Sequence, residues 1–202
     1  MLQILNKRYK YLIWRRYNIL RVISGCAKGM KLVTLDNMNT RPTTDRVKES
    51  LFNILHFYLE GCAVLDLFGG SGSLGIEALS RGAASVVFAD KSEKCIEIIK
   101  QNVTHTRFLD KSEIYLGEYD TILKKLSQHG KKFDIIFLDP PYKLGVIPEI
   151  LLLLQSYGIL NDKVIIVAES DAETVLPEVI GDLCISRIQS YGSTKITFYK
   201  WA

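Results

Sequence analysis

Asp139, Pro140, Pro141 and Tyr142 stand directly after the apolar run Phe133 to Leu138. Two prolines in succession remove two backbone donors and hold the chain extended, so neither an α-helix nor further sheet pairing is expected at once. A carboxylate, a preset carbonyl and an aromatic ring are left at a strand's end. A planar exocyclic amine is a weak nucleophile because its lone pair is delocalised into the ring. Two acceptors aimed at the amine hydrogens, the Asp139 carboxylate and the Pro140 carbonyl, favour localising that lone pair and stabilise the charge that grows on nitrogen as it attacks a methyl group. Tyr142 offers a face on which a base drawn out of its stack can rest. The plain alternative is an Asp-Pro turn that ends a strand beside a partly buried tyrosine.

A second constellation lies upstream. Gly70, Gly72 and Gly75 have G-x-G-x-x-G spacing between a strand pattern and a helix pattern, and Asp90 ends the next strand pattern 20 residues beyond Gly70. Taken literally this is a dinucleotide fingerprint, with an acid for ribose hydroxyls. Asp66 argues for a different ligand. A carboxylate just before the glycines is poorly placed beside a pyrophosphate but well placed near the cationic end of S-adenosylmethionine. Glu118 follows a third strand on the same expected rim, with a solvated helix N-cap as its plain alternative. A tight strand-to-helix turn alone would explain the glycines without the acids.

These residues need a scaffold that collects strand ends. After Gly61, CAVLDLF, SVVFAD, SEIYLG, FDIIFLD and KVIIVAES read as strands, and SLGIEALSRG, SEKCIEIIKQNVTH, YDTILKKLSQHG and GVIPEILLLLQSYG read as helices between them. Such alternation specifies an α/β fold with a parallel sheet covered on both faces. The tail, LCISRIQSYGSTKITFYKW, reads as an antiparallel hairpin at the edge, which makes seven strands. Before Gly61, RVISGCAKGMKLVTL reads as a β-hairpin and RPTTDRVKESLFNIL as a helix with a clear start. The expected organisation is a basic extension over 1–20, a hairpin-and-helix appendage over 21–60 and a main domain over 61–202.

Charge is unevenly placed. Residues 1–60 carry 11 Lys and Arg against 4 Asp and Glu, whereas 61–202 carry 15 against 18. A basic block at one end suits a polyanionic partner, or a solvated charged surface. Arg21, Lys28, Lys31, Arg41, Arg46 and Lys48 supply it between residues 21 and 48. Cys26, Cys62, Cys95 and Cys184 have no C-x-x-C spacing and form no ligand set with His56, His105 and His129, so neither a structural metal nor a disulfide framework is expected. No apolar run approaches the roughly 20 residues that span a bilayer, and the first 20 residues lack the unbroken apolar core of a signal peptide. A cytoplasmic protein is expected.

VLDLFGGSGSLGIEALSRGA, FDIIFLDPPY and RPTTDRVKESLFNIL together resemble the RsmD-like family, bacterial methyltransferases that modify the exocyclic N2 of a guanine in small-subunit ribosomal RNA. The resemblance covers about residues 21–202. It implies a Class I, Rossmann-like fold that uses S-adenosylmethionine, held by Asp66, Phe68, Gly70, Gly72, Asp90, Lys91 and Glu118. It implies catalysis by Asp139, Pro140 and Tyr142, and RNA contacts from Lys28, Lys31, Arg41, Thr43 and Arg46. The implied partner is 16S ribosomal RNA, free or within the small subunit or an assembly intermediate, acted on by a monomer. Glu118 stands where the family more often has Asp, and Ser92 where a second acid often follows the ribose-binding one. Two other readings remain at this point. A DNA or RNA adenine-N6 methyltransferase uses the same kind of tetrapeptide, and a non-enzymatic RNA-binding module would explain the basic end alone.

Overall fold

The computed structural model describes residues 20–34 and 45–202. The helices are α1 (Asp45–Ile54), α2 (Ser73–Ser80), α3 (Glu93–His105), α4 (Tyr119–Gln128) and α5 (Ile147–Ser156). The strands are β1 (Ala63–Asp66), β2 (Ser85–Asp90), β3 (Ser112–Leu116), β4 (Phe133–Leu138), β5 (Leu160–Asp171), β6 (Val179–Ile180), β7 (Leu183–Tyr191) and β8 (Thr194–Trp201). They form one sheet in the order β3-β2-β1-β4-β5-β8-β7-β6. The first five strands pair in parallel, and β8 joins β5 antiparallel.

Chain order reverses between β1 and β4, because β1 leads outward to β2 and β3 while β4 leads to β5. Open α/β sheets bind ligands above such a switch, at the carboxyl ends of the strands. Asp66 ends β1 and Asp139 follows β4, so the two motifs are brought to this point by topology.

Alternation along the strands divides the core. Val64 of β1 joins the apolar cluster covered by α1, α2 and α3, whereas its neighbour Leu65 joins the one covered by α4 and α5. The two-residue side-chain period of a strand sends consecutive residues to opposite faces, and helices on both faces leave the sheet apolar throughout. Gly75 lets α2 lie against β2, because a Cβ there would sit 2.3 Å from the Phe88 ring.

Two details differ from expectation. The sheet has eight strands rather than seven, since two residues, Val179 and Ile180, pair with β7. The hairpin from residue 21 is, among the described residues, a loop closed by a single antiparallel bridge, Arg21 to Lys31. Val22 N–H pairs with the Met30 carbonyl and Leu32 N–H with the Leu20 carbonyl, but the donors nearer the turn are used elsewhere. Ile23 and Ser24 N–H donate to the Glu77 carboxylate at 2.7 and 2.9 Å, and Cys26 and Ala27 N–H donate to the Ser80 carbonyl and hydroxyl. A strand ladder would need the same groups. Gly25 makes the close approach possible, with a left-handed φ of 84° and a Cβ position 1.7 Å from the Ser80 oxygen.

This loop and α1 pack into the sheet's first apolar cluster through Leu20, Val22, Ala27, Leu32, Val47 and Leu51. A buried ion pair joins them. Lys48 Nζ lies 3.6 Å from Glu77 Oε2 and donates to the Arg21 carbonyl and the Ser73 hydroxyl. Arg81 completes the set at 2.8 Å from Glu77 Oε1 and stacks over Phe52. Burial pushes the Lys48 ammonium below its usual range, against the pull of Glu77. Lys48 is therefore removed from the basic residues able to meet a phosphate, because its charge is enclosed and already paired.

Candidate active site

Four strand ends build the site. Asp66 pairs in register with Phe137 of β4, and Phe137 with Val167 of β5. Two residues further along, Asp139 and Glu169 follow the registered pair Leu138 and Ala168, so both project to the same sheet face as Asp66. Neighbouring strands lie about 4.8 Å apart. Three carboxyls thus share one corner above the switch point.

Their electrostatics follow from that crowding. Asp66 is 2% exposed and accepts a hydrogen bond from Gly75 N–H at 3.0 Å. Burial pushes its pKa up to about 7, the Gly75 bond opposes this, and the nearby Asp90 charge adds to it. Asp139 is raised well above the usual carboxylate range, first by burial, then by Glu169 and Asp66. A pocket that holds Asp66 and Asp139 against ionisation in this way favours a cationic guest, whose charge relieves both.

The glycine turn forms the opposite wall. Gly70 and Gly72 adopt left-handed φ values of 54° and 77°, which side chains resist, and Gly72 N–H closes the turn on the Gly69 carbonyl. Asp90 at the end of β2 accepts from Gly70 N–H and from Ser92 N–H, each at 2.9 Å. It braces the turn while retaining acceptor sites for ligand hydroxyls, since an ionised carboxylate has about four. Ser92, where an acid was noted as missing, caps α3 by accepting from Cys95 N–H. Phe68 is half-buried and tilts against Tyr119, their ring centres 6.2 Å apart. Glu118 makes no side-chain cap on α4 and instead pairs with Lys91 at 3.7 Å, both largely exposed.

Pro141 has φ −52° and ψ 123°, extended as two prolines require, and a single 3₁₀ turn over Tyr142–Leu144 follows. Tyr142 is 42% exposed, and its hydroxyl donates to Glu169 Oε1 at 2.9 Å. Burial first, and the Glu169 charge beside it, hold that hydroxyl protonated. A cavity of about 200 Å³ opens here, lined by Pro140, Tyr142, Val146, Pro148, Glu169 and Ser170 among others. A roomier cavity, about 540 Å³, lies elsewhere, between Cys26 and the residues His105 to Phe108 after α3, away from all three acids.

Asp66, Phe68, Gly70, Gly72, Asp90, Lys91, Glu118, Asp139, Pro140 and Tyr142 are thus gathered on one rim. The basic candidates are spread more widely. Lys28 is exposed on the loop that docks at the C-terminal end of α2, and eight residues of helix, about 12 Å, separate it from the glycine turn. Lys31 and Arg46 are exposed nearer the start of α1, and Arg41 and Thr43 lie outside the described residues. Glu169 was not foreseen. Its one signal was an acid at the end of the otherwise apolar VIIVAES, and only pairing with β4 reveals its neighbour. Among the described residues no group of three or more His, Cys, Asp or Glu could hold a metal ion, and no helix is long and apolar enough to cross a membrane.

A model of the family described as conserved hypothetical protein 95 matches residues 20–200. The chain is 42% identical to the Bacillus subtilis (strain 168) protein YlbH over 181 residues, which cover 90% of this chain and 98% of that one. It is 33% identical to the ribosomal RNA small subunit methyltransferase D of Escherichia coli (strain K12), over 90% of this chain and 89% of the relative. The solved structure of Escherichia coli yhhF superposes with a TM-score of 0.79 at 34% identity, covering 90% of this chain and 97% of that one.

Proposed function

The chain belongs to the conserved hypothetical protein 95 family, and from that premise we propose that it transfers a methyl group from S-adenosylmethionine to the exocyclic N2 amine of a guanine in small-subunit (16S) ribosomal RNA. One observation supports this reading above the rest. The carboxyls of Asp66 and Asp139 share a sheet face beside a left-handed glycine turn, so a cationic methyl donor and an amine acceptor each find an acid.

Asp66, Phe68, Gly70, Gly72, Asp90, Lys91 and Glu118 would hold the cofactor, with the buried Asp66 nearest its positive charge and Asp90 toward its hydroxyls. When bound, S-adenosylmethionine supplies a methyl group on a positively charged sulfur, which leaves as a neutral thioether. The Asp139 carboxylate and the Pro140 carbonyl accept the amine hydrogens and localise the nitrogen lone pair toward that methyl. The surroundings that raise Asp139 also make it a better proton acceptor, so its carboxylate takes the proton the amine sheds. Tyr142 lays its ring against the base. Residues 21–60 form the RNA-contacting part, with Lys28, Lys31, Arg41, Thr43 and Arg46 as its basic and polar contacts, and residues 61–202 hold the chemistry.

Nucleoside composition of 16S ribosomal RNA from cells with and without the gene tests the reading. Loss of one N2-methylguanosine per molecule, restored by purified protein acting on free RNA or on small subunits, is the expected result. An unchanged N2-methylguanosine content overturns it, and loss of an N6-methyladenosine instead would favour the adenine reading.

A further inference from the structure

Of the three carboxyls in the site, Glu169 has no part in the scheme above. It is 7% exposed, follows Ala168 beside Asp139 at the ends of adjacent parallel strands, and lines the same cavity as Pro140 and Tyr142. That cavity, about 200 Å³, is smaller than the roughly 300–1,000 Å³ of pockets that take drug-sized ligands, and its lining includes Pro140, next to Asp139, but not Asp139 itself. The Tyr142 hydroxyl donates to Glu169 Oε1 at 2.9 Å.

Two neighbouring carboxylates ask for two neighbouring donors. Adenine, cytosine and guanine all carry an exocyclic amine, but they differ in the ring nitrogen beside it. In adenine that nitrogen is N1 and in cytosine N3, both bare acceptors. In guanine the amine lies between N3, an acceptor, and N1–H, a donor that the other two bases lack beside theirs. With Asp139 on the amine hydrogens, a carboxylate at the adjoining strand end meets N1–H in guanine and a lone pair in the other two bases. Facing two acceptors against each other in a site with little water is costly, because neither can turn to solvent.

We propose that Glu169 is the residue that selects guanine, its carboxylate accepting N1–H of the extruded base while Asp139 accepts from N2. The assignment rests on the guanine-N2 reading and refines it. Glu169 is a specificity residue, and the Tyr142 hydroxyl donates to the same carboxylate. The mutual repulsion of Asp139 and Glu169 is relieved when two donors arrive together.

The test uses the full-length protein, S-adenosylmethionine with a labelled methyl, and the RNA substrate carrying either guanine or 2-aminopurine at the mapped target. The analogue keeps the exocyclic amine, lacks O6 and has a bare nitrogen in place of N1–H, and Glu169→Gln separates the N1 contribution from that of O6. The unmodified protein should prefer guanine by about 10- to 100-fold in kcat/KM, the range for one well-placed contact to a base edge. Glu169→Gln, whose amide can donate to the bare nitrogen, should lower activity on guanine and bring the preference below about threefold on the same basis. Tyr142→Phe separates selection from simple support of the tyrosine. It breaks the same hydrogen bond, so it should slow both substrates and leave the preference unchanged. Equal use of guanine and 2-aminopurine by the unmodified protein overturns the assignment whatever the variants do, as does a full preference retained in Glu169→Gln. Absence of N2-methylguanosine from the unmodified protein's reaction is a different failure, that of the guanine-N2 reading itself.

Discussion

Replacing Asp66 with Asn should make the empty protein more stable and the cofactor bind less well, two effects of opposite sign from one removed charge. Asp66 is almost fully enclosed, and its pKa is about 7 in the folded protein against 3.8 as the ordinary value. Because the folded value is the higher one, the native state favours the protonated acid and loses stability as pH rises from about 4 to about 7. At 1.36 kcal/mol per unit, the stability lost through the raised Asp66 pKa is about 2 kcal/mol at about pH 5.5 and about 4 kcal/mol at about pH 8. Asn cannot ionise. Its amide oxygen still accepts from Gly75, and any penalty of its amide nitrogen is the same at every pH, so that penalty cancels from the difference. The advantage of Asp66→Asn should therefore widen by about 2 kcal/mol between the two conditions. Relief of Asp139, which Asp66 also raises, adds in the same direction. Urea unfolding of both proteins without cofactor, at each pH, reads this directly. Calorimetric titration with S-adenosylmethionine should show affinity reduced by about tenfold or more, as expected when a cation loses an enclosed carboxylate. A stability gap that stays constant with pH would refute the reasoning about the buried charge. Undiminished cofactor affinity would remove Asp66 from the cofactor site.

Asp139→Ala should lower methyl transfer by about 10²-fold or more while cofactor affinity, measured separately, does not fall; near-normal turnover would end its catalytic assignment. Tyr142→Ala should cost a further 1–3 kcal/mol, about 5- to 150-fold in kcat/KM, relative to Tyr142→Phe, because only the former removes the stacking face. Lys28→Ala with Lys31→Ala should flatten the salt dependence of RNA binding by about one unit of slope per lost phosphate contact, with S-adenosylmethionine binding intact. An unmoved slope in a folded protein would exclude these two lysines from the RNA surface. Lys48→Met should destabilise the protein by about 3 kcal/mol in urea unfolding, because Glu77 loses one of its two buried cations. A loss below about 1 kcal/mol would show that Arg81 and the backbone donors suffice.

The main domain was legible because its signals are local. Val64 and Leu65 announce a strand buried on both faces, and Gly70 and Gly72 announce a turn that side chains would strain. Asp139 to Tyr142 was readable as chemistry because two prolines have few other uses at a strand's end. What could not be read depended on distant partners. Lys48 resembled any exposed basic residue of an amphipathic helix until Glu77, 29 positions later, enclosed it. The donors of Ile23 and Ser24 looked available for a hairpin, and a carboxylate more than 50 residues away took them. Glu169 needed the β4–β5 register before it had a neighbour at all. Sequence periodicity reports which face a residue takes. It carries no information on which of many carboxylates will stand across from it.

The Glu77 anchorage also imposes an order of events during synthesis. Ile23, Ser24 and Lys48 are synthesised before the residue that neutralises and caps them exists. At roughly 5–20 residues per second, the 54 positions between Ile23 and Glu77 correspond to about 3–11 s. Until Glu77 is in place, Val22, Leu32 and Leu51 have no complete sheet to cover them. The first described segment of the chain is thus among the later parts to reach its native place, and it closes over α2 only once that helix has formed. A nascent chain halted before Glu77 should leave this segment open to protease, and one halted well beyond it should not.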